Sequence, residues 1–467
     1  MEESPLNNTL KSIEKFWQYH YLFLIIGLFF GLKLVFLNPP WHTNDEDRHF
    51  YNSYALSQGN FTPEIKDKQL GHFMPRNLIA AVNIHQGVAY QKGHQIKKED
   101  LKLLELQQLE PEKQEFCPNV SSYIFPLPYL PAAIMIKIGM LFKDNPVWIG
   151  WWGRIGSLLA YLIIVFCAIK ILPHFKGFLM AVALSPMALF QGASITYDTL
   201  SLAFIFLLFA LVIKFYFQEK PISNKQVLFY FFIAFLHRCT KDGYFILYFA
   251  LFCISISKFE SKKLFFTSIL LIVSASFLPQ YLWWKYLSTL KLYFPPMQND
   301  FMFNGNMNLS FYLHEPINFL MIGFQNIFFQ GKTWLIGIVG RFGYSYTLLP
   351  DWIVFLHLAV YVLIILYEKP AIVINSLTKN KLLIIALLNF LAIIFGTLIY
   401  VSPVGASLIY GLQGRYFLPI IPFLFLSLFY IPINKNHEQS IKWILPIYLV
   451  GVLLYTDYFI DITFYTP

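Results

Sequence analysis

Three consecutive acids, Asp45-Glu46-Asp47, follow the Pro39-Pro40 turn, and His49 stands four residues beyond the first of them. The stretch DEDRHFYNSYALSQG reads as a helix that stops at Gly59. On such a helix His49 lies one turn from Asp45 and Glu46, so one face presents two carboxylates beside an imidazole. Carboxylates so placed can take a proton from an attacking hydroxyl or hold a divalent metal ion. The same residues also suit a solvated loop end, and Asp45 also suits a helix N-cap. The local sequence leaves these readings open.

Other groups able to do chemistry are scattered along the chain. Asp198 follows ALFQGASITY, where one apolar run ends and the next begins, and the Asp and Thr there would serve equally as helix caps. Lys241 and Asp242 interrupt LHRCTKDGYF just after His237-Arg238, where a solvated turn explains them as well as phosphate binding does. Arg154 (WWGRIGSLL) and Arg415 (LQGRYFLPIIPF) flank apolar runs. An arginine there can reach to lipid headgroups. It can also grip phosphate oxygens with its planar fork.

These residues must be positioned by membrane-spanning elements. The chain is 57% hydrophobic and 19% aromatic with only 13% charged residues, and its mean hydropathy is +0.54. Successive apolar runs are long enough for a bilayer core of about 30 Å. The opening segment MEESPLNNTLKSIEKFWQYH lacks a small-residue cleavage site, so the first span is expected to be retained. Net charge is +9, but the lysines cluster in short loops at alternate span ends, a pattern of topology and not of nucleic-acid binding. The four cysteines have no metal-binding spacing, although a Cys117–Cys239 bridge is conceivable if both face outward.

The expected fold is an all-α polytopic membrane protein, a single integral membrane domain over 1–467 with about eleven spans. Span candidates are 19–38, 149–172, 177–194, 199–217, 225–240, 243–257, 264–286, 350–367, 381–400, 415–433 and 441–459. The stretch 123–142 is short, broken by Pro126, Pro128 and Pro131, and interrupted by Lys137. Reading it as an in-plane helix, with a cytoplasmic N-terminus, puts the Lys170/Lys176, Lys214/Lys220/Lys225, Lys258/Lys262/Lys263, Lys369/Lys379/Lys381 and Lys435/Lys442 clusters inside. Asp45–Asp47, Asp198, His237-Arg238, Lys241-Asp242, Arg341, Asp351 and Arg415 then share the outer face. Two large outer segments result, 39–148 and 287–349, with further helices near 97–110 and 315–330.

PPWHTNDEDRHFYNSYALSQG resembles the first-loop motif of a bacterial membrane family, domain of unknown function 2142. FPLPYLPAAI (125–134), ALSPMALFQGASITYDTLSLAF (183–204), the Lys-Asp-Gly-Tyr turn (241–244), GRFGYSYTLLPDW (340–352) and QGRYFLPIIP (413–422) follow in order. That family in turn resembles the glycosyltransferase C superfamily, whose members use paired first-loop acids and a polyprenyl-phosphate-linked sugar. The resemblance implies that Asp45 and Glu46 are the acidic pair and Asp198 the second-loop acid, catalytic or metal-holding. It matches Lys241 and Arg415 to recurring basic positions, here read as phosphate contacts. His49, Arg341 and Tyr416 complete the expected substrate-binding set, and a divalent cation (Mg or Mn) is an open cofactor.

The activity expected is transfer of a sugar, with inversion, from a polyprenyl-phosphate or polyprenyl-diphosphate carrier to an acceptor hydroxyl. The site would face the periplasm or exterior of a bacterial inner membrane, with a glycan, lipid or protein acceptor and no nucleic acid. A lipid-linked glycan flippase or transporter is the alternative from another class. An O-antigen polymerase or ligase is the nearer enzymatic rival.

Overall fold

The computed structural model describes residues 17–89, 95–97, 99, 102, 107–292, 305–344, 347–368, 373–431 and 438–465. The fold is mostly helical. Its first part contains α1 (Tyr19–Leu37), α2 (Glu46–Ser57), β1 (Glu64–Lys66), β2 (Gln69–Pro75), α3 (Arg76–Ala89), β3 (Gln114–Pro118), α4 (Leu130–Met140) and α5 (Pro146–Ile171). The middle contains α6 (Lys176–Ala183), α7 (Pro186–Gly192), α8 (Tyr197–Phe217), α9 (Asn224–Arg238) and α10 (Lys262–Thr289). The last part contains α11 (Gly305–His314), α12 (Pro316–Val339), β4 (Arg341–Phe342), β5 (Thr347–Leu348), α13 (Asp351–Tyr367), α14 (Ser376–Tyr400), α15 (Ile421–Phe429) and α16 (Glu438–Phe464).

Six helices among the described residues are long and apolar enough to cross a bilayer: α1, α5, α8, α10, α14 and Ser440–Phe464 of α16. The other expected spans are shorter or broken. The 177–194 run divides into α6 and α7 at Leu184-Ser185-Pro186, and 243–257 is largely a 3-10 helix, Phe245–Cys253. The 415–433 run joins a 3-10 helix, Gly414–Ile420, to α15. Proline explains two of these breaks, since Pro186 starts α7 and Pro419 lies inside the 3-10 turn, each lacking an N–H to continue the ladder.

Helix α8 runs through the centre of the bundle. It buries 83% of its apolar window against other helices, whereas α10 buries 33% and leaves the rest facing outward. At one end of the bundle Lys258 Nζ donates to Gln218 O, Lys379 Nζ to Tyr430 O, and Glu368 accepts from the backbone of Gly177 and Phe178. Lysine-bearing turns therefore meet there, as the lysine pattern requires.

The opposite end carries the long segment between α1 and α5. Here β1, β2 and β3 form an antiparallel sheet in that order, with His72 opposite Cys117. A small second core of Trp41, Phe50, Tyr54, Leu78, Ile136 and Ile149 joins α2, α3 and α4 to the start of α5. Helix α4 packs closely on α5, where a Cβ on Gly139 would meet Trp152 and one on Gly156 would meet Pro131 O. Half of 97–110 lies outside the described residues. Residues 315–330 fall in Glu315 and α12.

Candidate functional site

The acidic motif divides in structure into residues with opposite roles. Glu46 is fully buried and receives Arg154 Nε on Oε1 at 2.7 Å and Arg154 Nη2 on Oε2 at 2.6 Å. The backbone N–H groups of Ile195 and Thr43 fill its remaining acceptor positions at 3.1 and 3.3 Å. Arg154 spends its other three donor hydrogens on the carbonyls of Val35, Asn38 and Pro39. All five guanidinium N–H groups are thus satisfied by protein. This buried clasp ties the end of α1, the first turn of α2, the middle of α5 and the α7–α8 turn to one another. Its atoms have no valence left for a substrate proton, a phosphate or a metal.

Asp45, one residue earlier, is built differently. Its φ of 59° puts it in the left-handed region, which costs an L residue about 1 kcal/mol and which Asp tolerates better than most. It occupies the N-cap position of α2 but makes no capping hydrogen bond. Its half-exposed carboxylate lies 3.5 Å from Arg48 Nη1. The clasp holds its neighbour still, so the Asp45 side chain leaves the protein surface from a fixed backbone.

The second acid is also freed from capping. Thr196 is the N-cap of α8 and accepts from Asp198 N at 3.2 Å, so the Asp198 carboxylate is released for other partners. Lys241 Nζ donates to Oδ1, and Arg415 Nε lies 3.5 Å from Oδ2. All three side chains are largely buried, Arg415 at 8% exposure. Three tyrosines close the cluster. Lys241 Nζ stands 4.0 Å from the Tyr416 ring centroid, 4.7 Å from Tyr197 and 5.9 Å from Tyr244. Two cations against one carboxylate leave the triad with a surplus positive charge in a partly dry site.

Two glycines bring the cations there. Gly243 adopts φ +101°, which lets the Lys241–Tyr244 turn reverse, and Asn389 Nδ2 holds its carbonyl at 3.1 Å. Gly414 lies against α12, where an added Cβ would sit 2.0 Å from Trp334 O and 2.6 Å from Gly337 Cα. Only the bare backbone allows that approach, and it sets where Arg415 begins. Asn44 Nδ2 donates to Gln413 Oε1 at 2.9 Å, which joins the first-loop motif to this last one.

His49 connects the two acids. Its Nδ1 is 2.9 Å from the Tyr129 hydroxyl and its ring meets Tyr197 edge-on at 4.6 Å. Burial lowers its pKa to about 4 despite the Asp45 and Asp198 carboxylates, so it is neutral at pH 7. Asp45 also interacts electrostatically with Lys241 and Arg415. Asp45, His49, Asp198, Lys241, Arg415 and Tyr416 therefore form one constellation, drawn from four separate stretches of chain.

The family model described as predicted membrane protein (DUF2142) matches residues 28–424, a span that holds every member of this constellation. The chain belongs to the DUF2142 family. No curated protein and no solved structure matches it.

In this DUF2142 protein Arg341 stands on β4, paired across to Leu348. Its hairpin reaches the first loop, where the Tyr344 hydroxyl donates to Asp47 Oδ1 at 3.5 Å, and packs Phe342 on Phe190 of α7. Arg238 pairs with Asp242 and donates to Ser276 O, away from Asp198. Cys117 and Cys239 are both free, buried thiols. No group of three metal-ligating side chains occurs among the described residues. Of the three acids expected to hold a cation, Glu46 is saturated by Arg154 and Asp198 already faces two cationic side chains, which leaves Asp45 alone. Tyr129 and Tyr197 escaped the sequence reading. FPLPYLP and SITYD do contain them, but nothing in those motifs marks a tyrosine as a partner for His49.

Proposed function

We propose that this chain is a glycosyltransferase that moves a sugar from a polyprenyl-phosphate or polyprenyl-diphosphate carrier to an acceptor hydroxyl, with inversion. The observation that carries the reading is the surplus positive charge of Lys241 and Arg415 around Asp198, beside a structurally unspent carboxylate, Asp45. Such an arrangement suits a reaction that expels a phosphate while removing a proton. The acceptor oxygen bonds to the anomeric carbon as the bond from that carbon to the phosphate oxygen breaks. Asp45 takes the hydroxyl proton, and the carrier phosphate leaves with its electron pair against Arg415 and Lys241. Asp198 acts by holding two like charges together, and neutral His49 with Tyr129 and Tyr197 packs the space between the acids.

In this reading the fold is glycosyltransferase C-like, with the shorter and broken segments bringing the crossings to about eleven. The site faces the outer side of a bacterial inner membrane, and the carrier's isoprenoid lies in lipid. The acceptor is a glycan, lipid or protein reached from water. The test is mass spectrometry of polyprenyl-linked sugars and surface glycans in cells lacking the gene, followed by transfer with the purified protein in nanodiscs. One lipid-linked sugar should accumulate and serve as donor. Unchanged lipid-linked sugars and glycans, together with no transfer, would overturn the reading.

A further inference from the structure

Beside the triad, Asp198 and Arg415 line a small hollow together with Gln191, Ser201, Tyr244 and Leu418. Gln191, on α7, is 2% exposed, and its Oε1 has no hydrogen-bond partner. Its amide nitrogen has the Met187 sulfur at 3.7 Å, a weak acceptor. Arg415 Nε, also buried, has only the 3.5 Å ion-pair contact with Asp198 Oδ2 and no hydrogen-bond partner. Ser201 Oγ is 2.9 Å from His237 Nε2, and His237 Nδ1 meets the Tyr248 hydroxyl on its other side. That chain fixes the Ser201 hydroxyl and leaves it valence toward the hollow.

Buried polar groups are normally satisfied, so two unsatisfied groups lining one hollow point to a ligand. Its chemistry follows from what each needs. Arg415 Nε–H requires an acceptor and Gln191 Oε1 requires a donor. A phosphoryl oxygen only accepts, so it would satisfy Arg415 Nε and leave Gln191 Oε1 without a donor. An apolar group satisfies neither. A hydroxyl both donates and accepts. We propose that this hollow is a recognition subsite for a sugar hydroxyl of the lipid-linked donor, with Gln191 accepting from it and Arg415 Nε and Ser201 donating to it. The proposal rests on the donor reading above and adds to it the residues that select the sugar.

The experiment measures binding to the full chain in nanodiscs, using geranyl phosphate and its glucosyl, galactosyl and mannosyl esters as probes. Wild-type protein should bind at least one sugar ester more tightly than bare geranyl phosphate. Gln191→Met, which keeps the length of the side chain and removes its amide, should reduce that margin about tenfold, and Ser201→Ala by several-fold. Both should bind bare geranyl phosphate as wild type does, and melting curves check that each variant is folded. If either variant misfolds, the other carries the comparison. Equal weakening toward bare geranyl phosphate would mean that the hollow takes a phosphoryl oxygen, and no change toward any probe would mean that it holds only water. Either result overturns the proposal, as does a wild-type protein that favours none of the sugar esters. Failure of wild type to bind geranyl phosphate at all would instead strike at the donor reading itself.

Discussion

Replacing Arg154 by leucine should unfold this protein far more readily without touching Asp45, Asp198, Lys241 or Arg415. The substitution removes the five hydrogen bonds that Arg154 donates and leaves the Glu46 carboxylate at 0% exposure with only the Ile195 and Thr43 N–H groups. It also strips a donor from the carbonyls of Val35, Asn38 and Pro39. Removing one partner from a buried ion pair costs about 3–5 kcal/mol, because the other charge stays behind uncompensated. Glu46→Gln keeps the shape and most acceptors but loses the charge, and should cost roughly 1.5–3 kcal/mol. The double variant Glu46→Leu/Arg154→Leu should then be less destabilised than the sum of the single Leu variants, by about 1–3 kcal/mol. Denaturation in mixed micelles, followed by tryptophan fluorescence, reads this directly, because Trp41 and Trp151 line the space around the pair. An Arg154→Leu protein as stable as wild type would refute the clasp. So would a Glu46→Gln protein of full stability that has lost transfer, since that result returns Glu46 to the role of base.

Asp45→Asn should behave in the opposite way, losing about 10²–10⁴-fold in transfer rate at unchanged stability, measured with purified protein and donor. Arg415→Lys should weaken donor use and Arg415→Ala weaken it further, whereas equal donor dependence in all three proteins would exclude a phosphate contact. His49 has a folded pKa of about 4 against 6.5 unfolded, so the unfolded chain binds the extra proton between those values. Its contribution is complete above pH 6.5 and is lost as pH falls to 4, by roughly 3 kcal/mol. A His49→Gln variant should show a correspondingly flatter stability profile. Gly414→Ala should destabilise by about 1–3 kcal/mol through the contact with Trp334 O, and should weaken donor binding by displacing Arg415.

The sequence by itself determined that this is a helical membrane protein, because runs of apolar residues near bilayer length admit few other structures. It also determined which ends of the helices belong together, through its lysine clusters, and it picked out Asp45, Asp198, Lys241 and Arg415. Its motifs could not say which acid of the first loop is free. Asp45 and Glu46 are adjacent and chemically alike, and only the approach of Arg154 from α5, over a hundred residues away, turns one into a buried structural charge. Nor could local sequence tell capping from site chemistry at Asp198. Thr196 takes the cap there, and Lys241 then claims the carboxylate. The stretches 177–194 and 415–433 read as unbroken spans, although Pro186 and Pro419, where they break, stand in the sequence. That those short pieces nevertheless pack into the core follows from neighbours they meet only in the folded chain. Long-range partners decide burial and protonation, and neither is encoded at any single position.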